Sequence, residues 1–150
     1  MSLQDQVMTE LKAAMRAKDA VKLEALRAIK SGLLLAQTES GSKEEISEDE
    51  ELKLLQKLVK QRKDSAMIYK EQNREDLAQP ELDQAAVIEQ FLPAQLSEAE
   101  IEQKVKDIIA KTGASGMKDM GKVMGMASSE LAGKADGKTI SMIVKRELSN

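Results

Sequence analysis

The stretch Leu52-Lys-Leu-Leu-Gln-Lys-Leu-Val-Lys-Gln-Arg-Lys-Asp-Ser-Ala-Met-Ile-Tyr69 carries the clearest structural signal in the chain. Leu52, Leu55, Val59, Arg62, Ala66 and Tyr69 recur at three- and four-residue steps, and Leu54, Leu58 and Ile68 form a neighbouring stripe. That spacing is the period of an α-helix. It predicts one long helix, the third in the chain, from about Glu48 to Asn73. Ser47-Glu-Asp-Glu50 fits a capping box at its start, and the acidic residues there suit the positive end of the helix dipole. A cation site is the alternative use of those carboxylates. The basic residues Lys57, Lys60, Arg62 and Lys63 read as a solvated surface. Arg62, on the apolar stripe, is expected to pair with a carboxylate at a domain interface.

The same periodicity recurs on both sides of this segment. Leu3, Val7, Leu11 and Ala14 predict a helix over 3–18. Val21, Ala25, Leu26, Ile29 and Leu33 predict a second over 19–37, its Leu33-Leu34-Leu35 end buried all round. Residues 39–51 read as a polar loop. Pro80 is expected to stop one segment before a shorter helix over 81–91, and Pro93 breaks the chain again. Ser97-Glu-Ala-Glu100 opens a helix ending before Gly113. A helix over 117–131, a turn over 133–137 and a last helix over 138–148 follow. The expected fold is all-α: an N-terminal helical domain with a long third helix (residues 1–95) plus a C-terminal three-helix domain (96–150).

Composition supports this class and narrows the chemistry. Only Tyr69 and Phe91 are aromatic, so the core must be aliphatic, as is usual where helices pack. The chain has no His and no Cys. The commonest general base, thiolate nucleophiles, disulfides and the usual zinc ligands are therefore missing. No calcium-type loop of acids appears. These absences argue against an enzyme, and no catalytic residue, cofactor or metal is expected. No run approaches the ~20 apolar residues of a membrane span, and the charged first 18 residues lack a signal-peptide core. A cytoplasmic location is the default expectation, with no membrane partner. Charge is uneven. Residues 1–96 hold 14 Lys+Arg against 18 Asp+Glu, whereas 97–150 hold 9 against 8.

Six of the eight glycines lie between Gly113 and Lys138, together with Met117, Met120, Met124 and Met126. Glycine inside a helix costs roughly 1 kcal/mol relative to Ala, so Gly121 and Gly125 need a reason. Four residues apart, they share a face that another backbone could approach closely. That backbone is either a packed helix or a bound phosphate chain. The methionines are either core filler or an adaptable binding face. Lys118, Lys122, Lys134 and Lys138 surround the glycines and suit a phosphate backbone. The Gly133–Lys138 turn does not match a Walker A loop, which needs a preceding strand.

The stretch Gly113-Ala-Ser-Gly-Met-Lys-Asp-Met-Gly-Lys-Val-Met-Gly125, with Ala135-Asp-Gly-Lys138 and Ile143-Val-Lys145, resembles the YqeY family. Leu11-Lys-Ala-Ala-Met-Arg-Ala-Lys-Asp19, Ala25-Leu-Arg-Ala-Ile-Lys30, Val59-Lys-Gln-Arg-Lys-Asp-Ser65 and Phe91-Leu-Pro-Ala-Gln-Leu-Ser97 extend the likeness over the chain. The family is similar to the C-terminal tail of GatB, one of the subunits of the tRNA-dependent amidotransferase. The resemblance implies two helical domains and a tail-like module that helps hold tRNA. It marks Lys118, Gly121, Lys122, Gly125, Asp136, Gly137 and Lys138 as matching the shared motif, and Lys134 joins them as a tRNA-binding candidate. It also carries a family label of carbon–nitrogen ligase with glutamine as amido donor, although nothing in these residues resembles the amidotransferase's catalytic parts. Three readings stand: a non-catalytic tRNA-binding module, an adaptor docking on the amidotransferase or a synthetase, and a ligase component by label.

Overall fold

The computed structural model describes residues 2–41 and 46–149. It is all-helical, and no strand occurs among the described residues. The helices are α1 (Leu3–Ala17), α2 (Ala20–Glu39), α3 (Glu48–Glu71), α4 (Glu75–Glu89), α5 (Glu98–Thr112), α6 (Met120–Glu130) and α7 (Gly137–Ser149), with a 3-10 turn over Met117–Asp119. Two compact units form, Met1–Leu92 and Pro93–Asn150.

Serine caps set most of the starts. Ser2 forms a full capping box with Asp5 at α1, and the Ser47 and Ser97 hydroxyls accept from the Glu50 and Glu100 N–H groups at α3 and α5. Residues 42–45, part of the segment read as a loop, lie outside the described residues.

In the N-terminal unit, Val7, Leu11, Leu26, Ile29, Leu33, Leu55, Val59 and Ile88 are buried together. This is the stripe pattern of the sequence closed on itself by α1–α2 and α3–α4 pairing. Three expectations fail here. Pro80 does not stop a helix; α4 starts at Glu75 and runs through it. The single missing N–H bond is outweighed because Ala78, Ala85 and Ile88 are buried on both sides of the proline. The end of α2 is not buried all round. Leu33 is buried, but Leu34 and Leu35 remain 52% and 60% exposed, because the core faces only one side of the helix. Nor does Arg62 pair with a carboxylate at a domain interface. Its guanidinium donates to Gln84 Oε1 at 3.1 Å and to the Leu58 carbonyl, and Gln84 in turn donates to Glu24 at 2.7 Å. A neutral amide thus relays the charge inside the unit.

The C-terminal unit has its own aliphatic core of Ile101, Val105, Ile108, Val123, Leu131, Ile143 and Val144. Met120, Met124 and Met126 pack partly buried against it, which makes them mainly core filler. Glu102 joins α5 to α7 by bonding Lys106 and Arg146. The hydrogen bond from Lys106 holds the Glu102 carboxyl below the ordinary carboxylate range.

Candidate nucleic-acid interface

Helix α6 has two unlike sides. Val123, Ala127 and Leu131 are buried in the core of the C-terminal unit. On the opposite side, Gly121, Lys122, Gly125, Ser128 and Ser129 are exposed. A Cβ added at Gly121 or Gly125 would meet nothing within 4 Å. The glycines are therefore not there for helix packing, and neither has the positive φ that would require glycine. What they do create is a side of the helix without side-chain bulk, bordered by Lys122.

The other candidates fall around this face. Lys118 lies in the 3-10 turn that leads into α6, and it is exposed. Asp119 accepts from the Ser115 N–H at 2.8 Å and so shapes that turn. Lys134, in the α6–α7 turn, is exposed, and its carbonyl accepts from Leu96 N–H at 2.9 Å. The turn itself is set by Gly133, whose φ of 76° suits a residue without Cβ. Asp136 caps α7. Its carboxylate accepts from Thr139 N–H at 2.6 Å, and its carbonyl accepts from Ile140 N–H. Gly137 opens α7 with free space around its Cα, and Lys138 follows it, exposed. Among the described residues, none of Lys118, Lys122, Lys134 and Lys138 belongs to an ion pair.

The structure does not gather these residues into one pocket. The Ser149 hydroxyl reaches Met117 Sδ at 3.7 Å, so the turn before α6 sits at the far end of α7 from Lys138. Lys118 and Lys122 thus mark one end of the α6–α7 hairpin, and Lys134 and Lys138 the other. At 1.5 Å per residue, the 13 residues of α7 put roughly 20 Å between the ends. Such a layout suits an extended chain of charges better than a single anion. One basic residue outside the candidate set belongs with it: Lys145 is exposed seven residues after Lys138, on the same side of α7. That seven-residue step is the signal in the sequence that could have found it.

The second basic patch, on α3, is partly neutralised. Lys60 pairs with Asp64, and Lys63 with Glu89. Among the described residues no group of acids could hold a metal ion, and no helix is long and apolar enough to cross a membrane.

The open glycines yield a direct expectation. Gly125 lies inside α6, so Gly125→Ala should stabilise the C-terminal unit by about 1 kcal/mol, since Ala is the better helix former and its methyl meets no neighbour. Urea unfolding followed by circular dichroism measures this. A loss of stability would mean that something packs on this face of α6 after all.

The chain has relatives among known proteins. The family model described as Yqey-like protein matches residues 4–148. A protein of Meyerozyma guilliermondii named "Altered inheritance of mitochondria protein 41, mitochondrial" is 32% identical over 120 residues, which is 78% of this chain and 62% of that protein. Its namesake in Clavispora lusitaniae is 32% identical over 76% of this chain and 66% of its own length. A glutamyl-tRNA(Gln) amidotransferase subunit of Thermococcus gammatolerans, homologous to GatB, is 37% identical over 73 residues, covering 46% of this chain and 12% of the archaeal protein. The chain therefore spans less than two thirds of the length of each of these relatives. The fungal relatives, mitochondrial by name, overturn the expectation of a cytoplasmic location. That expectation rests on missing signals in one stretch of sequence, and a compartment is not a property of the fold. With a family match over nearly its whole length and a partial match to an amidotransferase subunit, the chain belongs to the YqeY family.

Proposed function

We propose that the protein is a non-catalytic tRNA-binding module, and that its C-terminal unit lays α6 and the start of α7 along the RNA backbone. The observation that carries this reading is the exposed face of Gly121, Lys122 and Gly125, which no part of the protein covers among the described residues. A glycine face costs helix stability, so a face that nothing packs on needs another purpose. Without Cβ atoms a bulky sugar-phosphate chain can lie close to the helix while lysines on either side reach its phosphates. The roughly 20 Å between the two lysine pairs spans several phosphates. The family relation to a tRNA-dependent amidotransferase subunit supplies the class of RNA, and that amidotransferase is the natural assembly for the module to serve.

The adaptor reading through Met120 and Met124 has less support, because both side chains are turned toward the core.

Retention of tRNA across a salt series tests the proposal. Four phosphate contacts at about 0.9 counterion each imply affinity falling on the order of 10²-fold between 50 and 200 mM salt. Retention that is absent at low salt, or indifferent to salt, would end this reading.

A further inference from the structure

The N-terminal unit carries a groove that RNA binding leaves unused. It runs between the N-terminal halves of α1 and α3 and is closed by the end of α4. Two hollows of about 280 and 370 Å³ adjoin there at Gln6 and Phe91. The apolar lining is Leu3, Leu52 and Leu55 beside Phe91, whose ring is only half-buried. The charged groups that line it are Glu10, Glu48 and Glu51, all carboxylates; no lysine or arginine among the described residues does so. Helix α1 packs on α2 without packing closely on α3, which leaves the seam open.

We propose that this groove docks a cationic amphipathic helix of a protein partner. Its apolar side would meet Leu3, Leu52 and Phe91, and its lysines or arginines would face Glu10, Glu48 and Glu51. Charge complementarity selects this occupant. The lining is of one sign, in a unit that is itself acidic, so an acidic segment or an RNA strand is repelled and a basic one is steered in. The apolar floor selects an amphipathic segment over a simple polycation, because a polyamine would leave Leu3, Leu52 and Phe91 wet. The length fits as well. From Leu3 to Glu10, α1 offers about 10 Å, or two turns of a helix, for anchors repeating at three and four residues. The groove lies in the unit that the RNA reading does not use, so the two proposals stand or fall separately.

The probe is a fluorescein-labelled, helix-forming peptide of leucine and lysine in amphipathic order, titrated with the full chain and followed by anisotropy. Saturable binding is expected, weakened about tenfold or more by Glu10→Lys with Glu48→Lys, two exposed positions whose folding is checked by circular dichroism. The same peptide with glutamate for lysine should not bind. As a control, Glu71→Lys with Glu75→Lys changes net charge equally away from the groove and should leave affinity nearly intact. Equal weakening by both pairs would reduce the effect to net charge and overturn the proposal. So would absence of binding, or displacement by spermine at matched charge. Sedimentation showing a dimer that Glu10→Lys with Glu48→Lys dissolves would put a second copy in the groove and also overturn it.

Discussion

Changing Lys118, Lys122, Lys134 and Lys138 together to glutamate is expected to weaken tRNA retention at low salt by on the order of 10²-fold or more. The reasoning is electrostatic. Each lysine that neutralises a phosphate releases condensed counterions, and that release supplies most sequence-independent affinity. None of the four is committed to an internal ion pair among the described residues, so each ammonium is available and its loss frees no buried carboxylate. For the same reason the fold should survive. All four are exposed, and surface changes away from caps and cores usually stay within about 0.5 kcal/mol each. Filter retention of tRNA against salt, with circular dichroism on the same samples, separates the two effects. Unchanged retention by a folded quadruple variant would remove the lysines from the interface. Because the pairs sit at opposite ends of the hairpin, each pair alone should lose part of the affinity and part of the salt slope. A loss confined to one end would instead indicate a compact anion site.

Ile143→Ala should cost the C-terminal unit about 2–5 kcal/mol, the range for truncating a fully buried aliphatic side chain. Ile143 has 0% exposure and sits among Ile101, Val105, Val123 and Leu131 in a core with no aromatic residue. Such a core has few bulky side chains to close over the lost volume. Set against the roughly 5–15 kcal/mol that holds a typical domain together, this is a large fraction. Its neighbour Met142 is 52% exposed, so Met142→Ala should change stability by no more than about 0.5 kcal/mol. Urea titrations of the two variants make the comparison. Equal stability would contradict the burial pattern on α7.

Much of the fold is legible along the chain because helix formation is a local matter. The stripe through Leu55 and Val59, the serines at 2, 47 and 97, and the lack of aromatic residues all point to helices at places where helices occur. Pro80 shows where local reading goes wrong. The proline's cost is local, but the burial of Ala78 and Ala85 that outweighs it depends on α3. Leu34 and Leu35 fail in the same way, since apolar character does not say which side of a helix meets the core. Asp136, grouped with the binding candidates by its motif, has a cap to make.

Residue type and spacing along the chain are enough to establish that it is helical, that it has no imidazole or thiol chemistry, and that glycine and lysine concentrate near its end. They do not establish that Gly121 and Gly125 face open space, that Met120 and Met124 face the core, or that the lysines stand in two groups along a hairpin. Those facts come from packing. A side chain's surroundings are built by elements distant in sequence, here α5 and α7 around α6, and no periodicity within α6 records which of its sides they cover.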